Sequence, residues 1–401
     1  MSRAIRLSVA ALGLLAAACG DDTAEDRQPA ETCTTTLAPS ADDQTAVQEA
    51  FIQAASGSTL CFSDGTYTFT DELSLTVPGI TLRGVGDGAI LDFAGQEAGA
   101  NGINVTGDDF AVENLVIKNT PGDGIRVSNV DGVTFRKLRV SWDAGSVTEN
   151  GAYAIYPVGC TNVLVEDCEV TGASDAGIYV GQSRSIVVRR NVAHGNVAGI
   201  EIENSTGAEV YENEAFDNTG GILVFNLPNL PAGMGERVLV RDNVVADNNR
   251  ENFAPAGNIV AMVPPGTGLM ILAADQTELK NNEVTGNDSA GVFVVSYQTV
   301  EQLGAGGAED PDFDKYSSAT WIHDNTFENN GSAAHAPLTA FRTTGADVIF
   351  DGWDDPDDET NALCVADNGA TTFFNLRIGE NKQTSLSSFS CTLDPLPPVS
   401  L

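Results

Sequence analysis

Positive charge is scarce in this chain. Its 401 residues include 20 lysines and arginines against 56 aspartates and glutamates, so the formal net charge is -36. Such a surface repels a phosphate backbone, and nucleic-acid binding is therefore not expected. Histidine is also scarce: His194, His323 and His335 show no ligand spacing, which argues against a zinc or copper centre. The sequence contains no Ser-His-Asp arrangement, phosphate loop or dinucleotide fingerprint.

The N-terminal apolar run, residues 7–18, is too short to span a bilayer. It follows a basic start and predicts a signal peptide over residues 1–18. The small residues before Cys19 resemble a bacterial lipobox, although Ala16 stands where leucine is commoner. The resemblance implies a mature chain that begins with a lipidated Cys19 and is exported to the bacterial outer membrane or cell surface. Residues 19–42 lack periodicity and predict a tether.

A short phrase, Gly-Ile-x-Val, returns about every 22 residues through the middle of the chain. A fixed period of this size is typical of stacked supersecondary units. The third copy reads Ala-Ile-Tyr-Pro, and the last two copies follow a gap. The copies occupy residues 102–105, 124–127, 154–157, 177–180, 199–202, 221–224, 268–271 and 291–294.

A second phrase, Val-x-Val-x-x-Asn-x-Val, alternates apolar and polar residues and predicts strands with one buried face. The asparagine of this phrase aligns in one column, and a second asparagine five residues later aligns in another. Coils stacked about 4.8 Å apart would let these amides hydrogen-bond along the stack. We therefore predict an all-β, right-handed, single-stranded parallel β-helix with asparagine ladders. The columns are Asn191, Asn213, Asn243, Asn282 and Asn325, and Asn196, Asn218, Asn248, Asn287 and Asn330.

Both ends of such a stack need caps, because they expose unpaired strand edges. Helical spacing over residues 45–54 predicts an N-terminal capping helix. We assign residues 43–331 to the β-helix with this cap and residues 332–401 to the last coils and a C-terminal cap. The bend positions before the ladder alternate in charge, as in Arg136 and Glu166, which predicts stacked ion pairs.

Seven cysteines suit an oxidising compartment, and six remain after Cys19 is set aside. Cys168 occupies a ladder position, where we expect a buried thiol. We pair the outer cysteines at the two caps as disulfides: Cys33 with Cys61, and Cys364 with Cys391.

The variable position of Gly-Ile-x-Val points away from the coil interior, since the isoleucine and valine point inward. Longer segments interrupt the repeat beside the same strand, at residues 141–151 and 249–267 before it and 225–236 and 296–318 after it. Such insertions commonly build binding sites, so we expect a groove along this outward column. The column reads Asn104, Arg126, Tyr156, Tyr179, Glu201, Leu223, Met270 and Phe293.

Polar groups converge in the central coils of the expected groove. The candidate catalytic residues are Glu201, Tyr179, Tyr156 and Arg126, and the candidate ligand-binding residues are Asp175, Gln182, Glu203 and Asn204. Glu201 and Glu203, about 6.6 Å apart on one strand face, could act as acid and base in glycoside cleavage. Alternatively, Arg126 could neutralise a uronate carboxylate while a tyrosine exchanges a sugar proton. The structural alternative is an aromatic stack with Arg126 packed on it.

Acidic clusters at residues 309–314 and 351–359 could hold calcium through oxygen ligands, but neither has EF-hand spacing. We interpret them as solvated loops. No cofactor is therefore expected, with calcium as the alternative.

The repeats resemble the superfamily of parallel β-helix carbohydrate-active proteins, which includes pectate lyases, polygalacturonases and alginate epimerases. Residues 150–157, 174–183 and 199–205 more narrowly resemble bacterial parallel β-helix repeat-containing lipoproteins. This resemblance implies a fold and export, and no activity. The chain lacks the paired aspartates and Gly-His-Gly of polygalacturonases and the Arg-x-Pro-x-x-Arg of pectate lyases. Its Asp-Pro-Asp-Asp at residues 355–358 lacks the histidine of the Asp-Pro-His-Asp in alginate epimerases.

The leading hypothesis is a membrane-tethered β-helix lipoprotein that binds an extended ligand, a polysaccharide, along the outward column. One alternative is a lyase, epimerase or hydrolase that acts on uronate-containing glycans. The other is a non-catalytic periplasmic assembly partner of a redox protein.

Overall fold

The computed structural model describes residues 32–86, 88–304, 306, 310–356 and 363–401. The chain divides into two units, Met1–Thr32 and Cys33–Leu401, and the fold below is that of the second. The predicted signal peptide, the lipidation site Cys19 and much of the tether lie outside the described residues. None of the described helices is long and apolar enough to cross a membrane.

Each repeat folds into three short strands separated by bends, and equivalent strands of successive coils pair in parallel. Three parallel sheets result, which confirms the predicted all-β parallel β-helix. The first half of the second repeated phrase forms sheet 1, with 12 strands in the described chain. Its strands are Thr35–Leu37, Thr59–Phe62, Thr81–Gly84, Phe110–Glu113, Asp131–Arg136, Thr161–Glu166, Arg184–Arg189, Thr206–Tyr211, Glu236–Arg241, Asp275–Lys280, Thr320–His323 and Leu363–Ala366.

The Gly-Ile-x-Val phrase forms sheet 2, with 11 strands among the described residues. Its isoleucines and valines face the interior of the coil and are fully buried, as predicted. The strands are Leu73–Leu75, Ile103–Val105, Ile125–Ser128, Tyr153–Val158, Ala176–Gly181, Ala198–Glu203, Gly220–Phe225, Thr267–Leu272, Ala290–Val295, Ala346–Phe350 and Phe373–Asn375.

Sheet 3 completes each coil with a three- or four-residue strand, and the described chain contains 10 of them. They are Gly65–Thr68, Ala89–Asp92, Val116–Lys118, Arg139–Ser141, Glu169–Thr171, Val192–His194, Glu214–Phe216, Val244–Ala246, Glu283–Thr285 and Thr326–Glu328. The α-helices are Asp43–Gln53 and Tyr297–Gln302, and the 3-10 helices are Ile259–Met262, Leu338–Ala340 and Leu386–Phe389.

The predicted asparagine columns form two continuous ladders. In the first, the backbone N–H and the side-chain amide of Asn213 both donate to Asn243 Oδ1, at 3.0 and 2.9 Å. Cys168 begins this ladder as a buried free thiol, as predicted, and donates its N–H to Asn191 Oδ1. The ladder continues one step beyond the predicted column, to Asn368. These bonds fix each bend to the next and so set the coil register.

The alternating charges at the bends also pair as predicted. Arg136 and Arg189, from the coils on either side, contact Glu166 at 2.6 and 2.7 Å. Burial alone would raise the pKa of Glu166, but the hydrogen bonds from these two arginines outweigh it and lower the pKa to about 2.

Caps close both ends of the stack. Asp42 accepts a hydrogen bond from the N–H of Thr45 at the start of the first helix, which packs Val47 and Phe51 onto the first coils. The structure contains the two predicted disulfides, Cys33–Cys61 and Cys364–Cys391.

Candidate functional site

The outward column of sheet 2 has the predicted register. Asn104 pairs with Arg126, Arg126 with Tyr156, and Tyr179 with Glu201 in neighbouring strands. At the N-terminal end of the column Ser74 is exposed, whereas Asn104, Arg126 and Tyr156 are half-buried. This half of the face is therefore accessible to a ligand.

The C-terminal half of the same face is covered, and the prediction of an open groove along the whole column is wrong there. Leu223, Met270 and Phe293 are at most 7% exposed. They form a second apolar cluster with Val260, Val263, Tyr297 and Val300 of the inserted segments, and with Leu338 of a later 3-10 helix. Apolar side chains at outward positions are stabilised by such a cover, which the polar half of the column does not need.

The cover also reaches the middle of the column, where Tyr179 is 4% and Glu201 3% exposed. Both were predicted to face solvent as candidate catalytic residues. Their surroundings are instead made by the next coil and by the segment around Asn258, which folds back onto Asp175. Neither side chain is accessible to a ligand in this conformation.

Three tyrosines form an aromatic cluster at the boundary between the open and covered halves. The ring centroid of Tyr153 lies 4.5 Å from those of Tyr156 and Tyr179, which are themselves 4.9 Å apart. Tyr153 was not predicted. The sequence does indicate space for its ring, because the residues at the same position of the next two coils are the small Ala176 and Ala198.

A buried carboxylate cluster lies behind the tyrosines. Tyr179 donates its hydroxyl to Glu203 Oε1 at 2.5 Å, and Asn258 donates to Asp175 Oδ2 at 3.1 Å. Tyr153 lies beside Asp175, and Glu201 lies beside Glu203. The three carboxyl groups are 3 to 8% exposed.

Burial is the main cause of the altered acidity in this cluster. It raises the pKa of Glu203 and of Asp175 to about 7, and the charge of Glu203 raises that of Asp175 further. Burial, together with the charges of Asp175 and Glu203, raises the pKa of Glu201 well above its ordinary value. The Oε2 atom of Glu201 accepts no hydrogen bond within the described residues.

An acid and base pair in glycoside cleavage must flank the bond that is cleaved, so both groups need access to a ligand. Glu201 and Glu203 are both buried in this conformation. The strand spacing predicts that both side chains lie on the outward face, but it does not predict that the face is covered at this point, and their role as acid and base stays a prediction.

The remaining predicted ligand residues lie at the ends of their strands. Asn204 is 3% exposed, and its side chain bonds Leu227 and Gly233, so it fixes the segment after sheet 2 and is not available to a ligand. Gln182 occupies the bend that corresponds to Asn204 one coil earlier. Its side chain is half-buried, and its backbone φ is 53°. In this structure the side chain of Asn204 is occupied by the chain itself, and the ligand-binding roles of Asn204 and Gln182 stay predictions.

No group of three or more histidine, cysteine or acidic side chains within the described residues is arranged to hold a metal ion. In the second acidic cluster, Asp351 is fully buried and accepts hydrogen bonds from Ser296 N, Thr299 Oγ1 and Trp353 N. In the first, Asp310 accepts one from Asn229 N. Residues 309 and 357–359 of these clusters lie outside the described residues.

Residues 145–304 match the family model of the right-handed β-helix region. The fold is a right-handed parallel β-helix. A sequence comparison of this β-helix with curated proteins finds no match.

The β-helix is similar to several solved structures of low sequence identity. The A-module of mannuronan C-5 epimerase AlgE4 from Azotobacter vinelandii is 15% identical, with a TM-score of 0.53 over 86% of this chain and 95% of that one. The AlgE6 A-module from the same organism is also 15% identical, with a TM-score of 0.53 over 89% and 96%. A polygalacturonase from Erwinia carotovora ssp. carotovora is 11% identical, with a TM-score of 0.49 over 88% and 100%. At these identities the likeness concerns the fold alone.

Proposed function

We propose that the protein binds an extended, uronate-containing polysaccharide on the open half of sheet 2, between Ser74 and Tyr156. The observation that carries this proposal is that Arg126 has no carboxylate partner in the part of the chain that the structure describes. Its Nε donates to Ser128 Oγ at 3.1 Å, and its guanidinium lies 5.1 Å from the centre of the Tyr156 ring. Within the described residues, no carboxylate oxygen lies within 4.0 Å of it.

Arg126 is half-buried and lacks a carboxylate partner among the described residues, unlike several arginines of sheet 1. On sheet 1, Arg136, Arg189 and Arg241 each contact at least one carboxylate. Asp123, whose pKa burial raises to about 6, attracts Arg126 but does not pair with it. The free edge of a guanidinium matches a carboxylate in two parallel hydrogen bonds, so Arg126 is suited to a uronate.

The neighbouring rings complete the binding surface. Tyr156 and Tyr153 are half-buried, and their accessible faces can pack against sugar rings. Beyond them the face is covered, so an extended ligand would lie over Ser74, Asn104 and Arg126 and end at the tyrosine cluster. Two of the structures with a similar fold are named for mannuronan. That agreement is compatible with the proposal, which rests on Arg126.

A second candidate is an enzyme acting on the same class of polymer, because carboxyl groups with raised pKa values lie directly behind the tyrosines. The direction of the tyrosine shifts argues against it. Burial raises the pKa of Tyr156 and raises those of Tyr153 and Tyr179 well above the ordinary value. Phenols with raised pKa values are poor proton acceptors, so the route in which a tyrosine takes the sugar proton is not supported. Binding is the better supported function.

The proposal includes export and a lipid anchor at Cys19, both of which rest on the sequence of the N-terminal segment. In that setting the open face would hold glycan at the bacterial outer membrane or cell surface. Mass spectrometry of the protein isolated from bacterial membranes tests the anchor, since a lipidated Cys19 increases the mass of the N-terminal peptide. An unprocessed or unmodified N-terminus contradicts it.

Titration calorimetry with acidic oligouronates and their carboxyl-reduced, neutral counterparts tests the binding proposal. We expect Arg126→Gln to weaken oligouronate binding by about 10- to 100-fold, because a charge-assisted bidentate contact is lost. Binding of the neutral counterpart, which is weaker throughout, stays unchanged. Arg139→Gln is the matched control, because Arg139 is exposed on sheet 3 and its loss should change neither affinity. Equal oligouronate affinity of the wild type and Arg126→Gln contradicts the proposal.

A further inference from the structure

The last residues of the chain, 393–399, lie on the outer face of sheet 1, away from the proposed glycan site. The N–H of Leu396 donates to Glu278 Oε2 at 2.6 Å, and the N–H of Val399 donates to Glu209 Oε2 at 3.1 Å. Both acceptors are buried, with 3% and 4% exposure. Two buried carboxylates are thus used to hold a segment that has no regular secondary structure.

The burial of this segment repeats every third residue. Leu393, Leu396 and Val399 are half-buried, whereas the residues between them are exposed. A period of three is that of the polyproline II helix. Prolines at positions 395, 397 and 398 favour this conformation in the residues that precede them. Proline lacks an N–H, so donors remain at the two positions that face the sheet.

The spacing of the two glutamates matches one turn of that helix. Glu209 pairs with Leu239, and Leu239 pairs with Glu278, so the glutamates are two strands apart in sheet 1. Two strand spacings amount to about 9.6 Å. Three residues of polyproline II rise about 9.3 Å. The segment therefore runs along the axis of the coil stack and presents one N–H to every second coil.

The surroundings hold the two carboxylates in place. The other oxygen of Glu278 lies 3.0 Å from His323 Nε2, and the other oxygen of Glu209 lies 2.8 Å from Arg241 Nε. Trp321 follows Glu278 in the same outward column and lines a cleft with Leu393 and Leu396. The surface thus combines fixed acceptors with an apolar wall, as in other grooves that bind polyproline II segments.

We propose that the outer face of sheet 1 from Glu209 to Trp321 is a polyproline II-binding surface, and that its occupant is the C-terminal segment of the same chain, residues 393–399. The surface selects an apolar residue with a free N–H at every third position and prolines between them. Hydrogen bonds and apolar contacts hold residues 393–399 on the sheet, so the segment can dissociate from it, and the emptied surface accepts a peptide of the same spacing in trans.

A fluorescent peptide of residues 393–401 tests this proposal. In the full-length double variant Leu396→Asp and Val399→Asp, each new carboxylate faces a buried glutamate and releases the segment. We expect this variant to bind the peptide at least 10-fold more tightly than the wild type, whose own segment competes. A peptide N-methylated at the positions of Leu396 and Val399 lacks both donors and should bind at least 10-fold more weakly. Equal binding by wild type and variant, or by the two peptides, overturns the proposal.

Hydrogen exchange of the unaltered protein provides a second test that does not depend on the folding of a variant. Mass spectrometry of the C-terminal peptide should show two slowly exchanging amides, those of Leu396 and Val399. The variant Glu209→Met with Glu278→Met removes the acceptors, and both amides should then exchange at least 10-fold faster. Fast exchange of all amides in the wild type overturns the proposal.

Discussion

Replacing Glu203 with glutamine should stabilise the protein at alkaline pH and have little effect in acid. Burial raises the pKa of Glu203 from an ordinary value of 4.5 to about 7. Between these values the folded state keeps a proton that the unfolded state has lost. The stability from this proton is fully present below about pH 4.5 and disappears as the pH rises through about 7. Glutamine stays neutral throughout and keeps an oxygen that can accept from Tyr179.

The magnitude follows from the shift. At about 1.4 kcal/mol per pKa unit, a rise from 4.5 to about 7 corresponds to about 3 kcal/mol in the free energy of unfolding. The wild type should lose about this amount between about pH 4 and pH 8 through Glu203 alone, and Glu203→Gln should regain it. Asp175, whose pKa is also raised to about 7, adds a loss of the same sign in both proteins.

Equilibrium urea denaturation, followed by circular dichroism across this pH range, measures the effect. Glu214→Gln is the matched control, because it removes one negative charge from an exposed position on sheet 3. Comparison with this control separates the effect of the buried group from the stabilisation that removal of any negative charge gives to a chain of net charge -36. A Glu203→Gln protein no more stable than the control at about pH 8 would refute the assignment of a buried, protonated carboxyl group.

Three further changes test the scaffold. Asn243→Ala removes both ladder bonds from Asn213 and the side-chain donations of Asn243 to Val210 O and Asn282 Oδ1, and should lower the free energy of unfolding in urea by about 3 to 5 kcal/mol. Glu166→Gln should show the opposite pH signature to Glu203→Gln. The pKa of Glu166 is lowered to about 2, so its contribution, about 1 to 2 kcal/mol after solvent screening, is present above about pH 4.5 and lost as the pH falls through 2. Replacing Cys33 and Cys61 with alanine opens a bridge of sequence separation 28 and should cost about 3 kcal/mol in the same urea assay.

The coil architecture could be predicted because each of its determinants is local and repeated. Every ladder asparagine occupies the same place in its repeat, so one correct alignment predicts all the contacts along a column. The ion pairs at Glu166 followed for the same reason, whereas the two disulfides were predicted from the positions of their cysteines at the caps. Asn368 was missed because the coil that contains it no longer has the spacing of the repeat.

The accessibility of the outward column could not be predicted, because it depends on segments outside the repeat. The period shows that Glu201 and Met270 point away from the coil interior, and they do. It does not show where residues 249–267 or 296–318 fold, and those segments decide which outward residues meet solvent. The outward column changes from polar to apolar residues at Leu223, and this change in the sequence indicates that the column is covered from there on.

A crystal structure of the protein with a bound oligouronate tests the central claim most directly. The account predicts a sugar carboxylate in two hydrogen bonds with the guanidinium of Arg126 and a sugar ring packed on Tyr156, with the rest of the ligand extending toward Asn104. An oligouronate bound on another face of the coil stack, with Arg126 uninvolved, would contradict it.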